Sequence, residues 1–350
     1  MTPSPEPGHR LHQPSLSDRR QFLAALSRRS GDVGRAMACG HWLRVHRRAM
    51  ACRFEITLPA ADRVFVPAAI KALDEIDRLE QELSVFIPTS TIPGVNRAAA
   101  DGPVAVPEYL AQLLADCQSV YRDTDGAFDV TTTPLSRCWG FLHREARVPR
   151  LEAIEDACRQ VGFGAVQVSF DPPSVAFSRP RIEMSFGAVG KGCALDRARS
   201  VLCASGVRHA LLSAGGSSIV ALGSPGGGWV VDVVSPLRPK RPIATLSLRN
   251  AALGTSGAGE QFVVEDGRRY GHVIDPRSGW PVHGTLSASV VASDAAHADA
   301  LSTAFLVGGI DLARRYCSEH PAVLALITPD DGSGQTMVVG DHPGARVVRD

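Results

Sequence analysis

The chain has 350 residues, of which 44% are hydrophobic and 21% charged; that excludes a disordered, collagen-like or coiled-coil polypeptide and leaves length for one large or two ordinary domains. Thirty-seven basic residues against thirty-six acidic give a formal charge of +1, so no global field favours nucleic acid or an anionic membrane surface. Eight cysteines with no C-x-x-C pair and no zinc spacing read as reduced, mostly buried apolar residues.

The near-neutral total is a cancellation. Residues 1–48 hold nine Arg and three acidic residues, a net +6, which leaves −5 for the rest. They are expected to form a basic, disordered extension ahead of one folded domain over residues 49–345. Arg19-Arg20-Gln21-Phe22-Leu23 has the form of a twin-arginine start and Met37-Ala38-Cys39 the spacing of a lipobox, but Ser27-Arg28-Arg29 breaks the apolar run between them. No competent export signal is read, and the expectation leans to the cytoplasm. The longest uncharged stretch, residues 210–231, is punctuated by Gly215-Gly216 and Pro225-Gly226 and reads as strand, turn and strand, with no transmembrane segment.

Residues 50–58 alternate as a half-buried strand. Ile70, Leu73, Ile76, Leu79 and Leu83 recur every three or four residues and predict an amphipathic helix ending near Ser84. Residues 89–96 are expected to be loop, with Pro93-Gly94 as a turn. A second helix is expected from Pro107 as its first residue through Tyr121, and a third over Leu151, Ile154, Cys158 and Val161, stopping at Gly162. Short strands dominate from residue 165 onward, interrupted by a helix from about Gly192 and another over about 294–306. Strands and helices do not alternate strictly, which predicts an α+β fold of mixed, largely antiparallel sheets with flanking helices.

Four constellations could carry chemistry. Ser185-Phe186-Gly187-Ala188-Val189-Gly190-Lys191-Gly192 opens a helix, where glycines admit a ligand, helix-start N–H groups favour an anion and Lys191 adds a point charge. It is not a Walker A motif, since its glycines are too close and Cys193 stands where Ser or Thr belongs. Asp299, Ser302 and Thr303 share one helix face, an oxygen set suited to Mg²⁺, or else a solvated face with Thr303 bonded to its own backbone. His272, in Tyr270-Gly271-His272-Val273-Ile274-Asp275-Pro276, can serve as a general base or as a structural residue. Thr124-Asp125-Gly126-Ala127-Phe128-Asp129 is a turn whose following backbone could border a planar heterocycle. Ala214-Gly215-Gly216-Ser217 and Gly254-Thr255-Ser256-Gly257 read as further tight turns.

Leu83-Ser84-Val85-Phe86 with Asn96, then TDGAFDV, GAVGKG with Asp196, SAGGS, GTSG, HVIDPRSG and ADALST follow one another from about residue 50 to 309. That succession resembles the ApbE family of FAD:protein FMN transferases. The resemblance implies an ApbE-like fold in which FAD is the substrate and is cleaved at its pyrophosphate. FMN then passes to a Thr or Ser hydroxyl of an acceptor protein of the redox or electron-transport kind, with Mg²⁺ required and AMP released. It also implies metal ligation by Asp299, Thr303 and the main-chain carbonyl of Ala188, with Ser302 standing where some relatives carry a carboxylate. FAD contacts are implied for Met50, Phe86, Ala127, Phe128, Asp129, Ser185, Lys191 and Ile274, and His272 is the implied base.

The chain departs from the family pattern in places. Ser185 replaces an Asp and removes a carboxylate from the cofactor site. Phe86 replaces a Tyr, which keeps ring stacking and loses a hydroxyl. Ala258-Gly259 lacks an aromatic often found there. Two other activities use the same motifs: an FAD pyrophosphatase that activates water, and a non-catalytic flavin-binding protein.

Overall fold

The computed structural model describes residues 41–234, 242–259 and 261–348; the arginine pair and the lipobox-like triplet lie outside them. The described chain opens with β1 (Trp42–Ala49), β2 (Cys52–Pro59), α1 (Val66–Leu83), α2 (Thr91–Ala98), β3 (Val104–Ala105) and α3 (Glu108–Asp123). It continues through α4 (Thr133–Cys138), α5 (Leu151–Cys158), β4 (Val166–Phe170), β5 (Pro173–Phe177), α6 (Gly190–Ala204), β6 (Ala210–Ala214), β7 (Ser218–Leu222) and β8 (Trp229–Val234). The last part holds β9 (Pro242–Leu248), β10 (Ala251–Gly257), β11 (Phe262–Glu265), β12 (Arg268–Gly271), β13 (Thr285–Ala292), α7 (Ala295–Glu319), β14 (Leu324–Pro329), β15 (Met337–Gly340) and β16 (Ala345–Val348).

An eight-stranded sheet in the order β1-β2-β6-β7-β10-β13-β14-β15 forms the frame. Its neighbours are all antiparallel, so the architecture is α+β, as the irregular alternation implied. Side chains on one strand alternate between its two faces. On β7, Ile219 and Ala221 join Trp229, Val231, Leu246 and Leu248 of the small sheet β16-β9-β8. Val220 points the other way, into a core with α1 and α6 that contains Leu73, Ile76, Leu79 and Leu195. The central strands are therefore covered on both faces, which is why β7 and β13 read as apolar runs.

Several expectations are corrected. Residues 42–48, assigned to the basic extension, belong to β1, paired with β2 along its whole length; Arg44, Arg47 and Arg48 fall on both of its faces, so charge masked a strand. Residues 91–98 form a helix and not a loop. Pro93 falls in the first turn, where no N–H is needed. Gly254-Thr255-Ser256-Gly257 is strand β10. α7 runs to Glu319 and breaks its helical geometry at Gly309. Pro107 precedes α3 as its cap residue, and α5 ends at Cys158, short of Gly162. Ile70 is exposed, and Ala69 and Ala72 take its place on the buried stripe of α1. Of the seven described cysteines, all free thiols, Cys117, Cys193 and Cys317 are buried and Cys203 is exposed. No helix among the described residues is long and apolar enough to cross a membrane.

Candidate active site

Two glycines let α6, α7 and the sheet come together. A Cβ on Gly192 would lie 2.3 to 2.6 Å from backbone atoms of Ala295 and Ala296, and one on Gly254 would lie 2.5 to 2.6 Å from those of Ala298 and Asp299. Such distances leave room for hydrogen alone. The start of α7 therefore rests directly on both α6 and β10.

This contact fixes two carboxylates. Asp299, on α7, accepts from the Gly192 N–H at the start of α6 at 2.9 Å. Asp196, on α6, accepts from the N–H groups of Ala295 and Ala296 at the start of α7, at 3.0 and 2.9 Å. Each helix thus supplies an anion to the positive end of the other. The sequence suggested that the start of α6 would face an anionic ligand; its Gly192 N–H is taken by the protein's own carboxylate.

Ser218, fully buried at the start of β7, reaches both carboxylate oxygens of Asp299, at 2.8 and 3.0 Å. Its neighbour Ser217 accepts from the ammonium of Lys191. Burial pushes Asp299 up to about 7, and the charge of Lys191 and the bonds from Ser218 and Gly192 pull against that rise. Burial likewise pushes Asp196 up to about 6, against the two N–H groups that it accepts.

One turn further along α7, Ser302 and Thr303 donate back to the carbonyl of Asp299, at 2.9 and 3.1 Å. This is the backbone bonding that the sequence left open for Thr303, and Ser302 shares it. The face is not solvated, since Asp299 and Ser302 are 4% and 1% exposed. Ser256 Oγ lies 2.8 Å from Ser302 Oγ and 3.1 Å from Thr303 Oγ1. A hydroxyl carries one proton; with those of Ser302 and Thr303 directed to the carbonyl, the single proton of Ser256 serves one of the two at a time or is shared between them.

The donor set that the resemblance implies is all oxygen: the buried Asp299 carboxylate, the half-buried Thr303 hydroxyl and the carbonyl of the exposed Ala188. Among the described residues no three His, Cys, Asp or Glu side chains gather into a metal site. A cation here would draw on hydroxyl, carbonyl and substrate oxygens, the ligands a hard Mg²⁺ prefers. A carboxyl that burial keeps half-protonated near neutrality gains from a positive charge beside it, so these residues fit that ion.

His272 follows β12, and its N–H donates to the Gln261 carbonyl at 3.0 Å. A Cβ on the preceding Gly271 would lie 3.1 Å from the carbonyl oxygen of Ala258, two residues beyond Ser256. The His272 backbone is thus set beside the end of β10 that carries the hydroxyl cluster. Ile274 is buried and bridges to Pro281. Asp275 accepts from the Arg277 N–H and side chain, closing the Pro276 turn.

The remaining expected contacts divide. Phe86 is 67% exposed just beyond α1 and can receive a ring. Met50 lies in the β1–β2 turn with φ 48°, held by its N–H to Glu80 at 2.6 Å; that left-handed backbone carries a cost of order 1 to 3 kcal/mol and is a frequent mark of ligand sites. Ala127 and Phe128 are each 1% exposed, so their side chains belong to the core. The Asp129 carboxylate also turns inward, accepting from Thr131 N–H and hydroxyl and from Phe163 N–H. Burial raises its pKa, and those bonds oppose the shift. Only the backbone of this segment is free to border a flavin. It is joined to the glycine-lysine segment by the Ser185 N–H, which donates to Val130. Ser217, Ser218 and Ser256 were absent from the site residues singled out, although Ser217 ends the noted motif SAGGS, Ser218 follows it directly and Ser256 lies in GTSG.

The chain is similar to known proteins over most of its length. The model of the ApbE family matches residues 50–327. The chain is 31% identical over 321 residues to an FAD:protein FMN transferase of Treponema pallidum, covering 84% of this chain and 88% of that one. It is 27% identical to one from Escherichia coli K12, covering 76% and 78%. Among solved structures, the ApbE protein of Thermotoga maritima superimposes with a TM-score of 0.76 at 29% identity, over 85% of this chain and 97% of that one. The apo flavinyl transferase ApbE of Pseudomonas stutzeri gives 0.74 at 25% identity, over 86% and 95%.

Proposed function

The chain belongs to the ApbE family, and from that premise we propose that it moves FMN from FAD to a Thr or Ser hydroxyl of an acceptor protein. In the reaction the acceptor oxygen bonds to the phosphorus of the FMN half, the pyrophosphate bond to the AMP half breaks, and AMP leaves with the bridging oxygen. The hydroxyl proton passes to a base. The observation that carries the reading is the meeting of Lys191, Asp299 and the Ser256-Ser302-Thr303 hydroxyls where α6, α7 and β10 cross.

Each group has a task set by its chemistry. Lys191, with Ser217 as its acceptor, presents an ammonium to the pyrophosphate. Asp299, Thr303 and the Ala188 carbonyl would hold Mg²⁺, which supplies neutralisation of phosphate charge as the bond breaks. Phe86 offers a face for a flavin or adenine ring. His272 is our candidate to take the acceptor proton, and it lies on the segment beside the hydroxyl cluster. The acceptor belongs to the redox or electron-transport proteins, where a tethered flavin has a use. Mass analysis of such an acceptor after incubation with FAD and Mg²⁺ tests the reading; AMP formed at an equal rate with and without acceptor would mark a hydrolase.

A further inference from the structure

We propose that Ser218 is a positioning residue for Asp299, holding its carboxylate in the orientation a divalent cation needs; the proposal rests on the metal-dependent transferase reading above. Ser218 is 0% exposed, and among the described residues its hydroxyl is directed to the two oxygens of Asp299, at 2.8 and 3.0 Å. Its cross-strand partner on β10 is Gly254, the residue on which the α7 backbone at Ala298 and Asp299 rests. A side chain at 254 would lift α7 away, whereas the hydroxyl at 218 reaches up beside that gap. Backbone packing and hydroxyl placement therefore come from paired positions of one sheet.

The arrangement also keeps opposite charges on separate partners. Ser217 accepts from Lys191, and Ser218 donates to Asp299. Ser217 ends the turn before β7, with its carbonyl held by the Thr255 N–H at 2.7 Å, and Ser218 begins the strand, so the two positions are fixed by the backbone. A flexible ammonium and a buried carboxylate would otherwise gain by pairing directly. Held apart, the ammonium is directed to phosphate and the carboxylate keeps lone pairs for a cation. Groups that orient a metal ligand from behind contribute about 10- to 100-fold to metal affinity.

Ser218→Thr and Ser218→Val have the same shape and differ by the hydroxyl. Titration with Mn²⁺, followed by the loss of the free-ion paramagnetic resonance signal, should give the Val variant about 10- to 100-fold weaker binding than the Thr variant. FAD affinity in metal-free buffer, read by flavin fluorescence, should be equal in the two. If the added methyl unfolds both, Ser218→Ala against the wild-type chain makes the same comparison. Equal Mn²⁺ affinity with and without the hydroxyl overturns the Ser218 assignment and leaves the transferase reading intact. A wild-type chain that binds no Mn²⁺ and transfers FMN at full rate in chelator overturns the metal-dependent reading beneath it.

Discussion

Asp196 and Asp299 cap each other's helices: the first accepts from Ala295 and Ala296 at the start of α7, the second from Gly192 at the start of α6. The exchange locks the two elements that carry Lys191 and Thr303, so the geometry of the site depends on a structural joint. Gly192 is the pivot of that joint, since its missing side chain lets the helix starts touch.

Gly192→Ala should separate the helix starts. The new Cβ would meet backbone atoms of Ala295 and Ala296, which cannot rotate away. Urea unfolding should show a loss of about 1 to 3 kcal/mol, the usual cost of forced overpacking, together with reduced FMN transfer. Unchanged stability would show that α6 and α7 are not in the contact described.

Asp196 should make stability fall with rising pH. Its folded value of about 6 lies above the roughly 3.9 of an unfolded Asp. Between the two values the folded chain binds more protons than the unfolded chain, so its contribution is full below about pH 4 and lost by somewhat above pH 6. Asp196→Asn removes that slope. Unfolding midpoints of the two proteins across this range should differ by a pH-dependent amount, and parallel curves would contradict the assignment.

Phe86→Ala should weaken FAD binding without touching the fold. The ring is largely exposed, and a surface change of this kind alters stability by within about 0.5 kcal/mol. Loss of a ring contact of about 0.5 to 1.5 kcal/mol raises the dissociation constant roughly 2- to 12-fold. Flavin fluorescence titration measures it; an unaltered constant would remove Phe86 from the cofactor contacts.

His272→Ala should lower transfer by about 100- to 10,000-fold, the range for a general base. FAD affinity should stay at the wild-type value, because the proton is taken from the acceptor. Single-turnover rates separate the two effects, and full transfer by the variant would assign the base to another group.

The sequence made the frame readable where one period dominates. The stripe of α1 and the predominance of short strands after residue 165 followed from spacing. β1 was hidden because arginines at 44, 47 and 48 fall on both faces of this edge strand and break the apolar alternation. β10 was hidden by the same glycine that makes it functional: Gly254 looks like a turn residue, and its purpose is a close approach of α7. Among the site residues, the motif order located Lys191, Asp299 and Thr303. It could not reveal Ser218, whose partner lies 81 residues away, nor that the Asp129 carboxylate would be turned inward by Thr131 and Phe163. Pairings across a sheet are set by the fold, and no local pattern records them.

The central claim is tested most directly by counting both products at once. With FAD, Mg²⁺ and an acceptor bearing the target hydroxyl, chromatography should give AMP and mass spectrometry should give FMN-bearing acceptor in equal amounts, and both should disappear together in Asp299→Asn. AMP with no adduct on any acceptor, or FAD recovered whole after prolonged incubation, would contradict it.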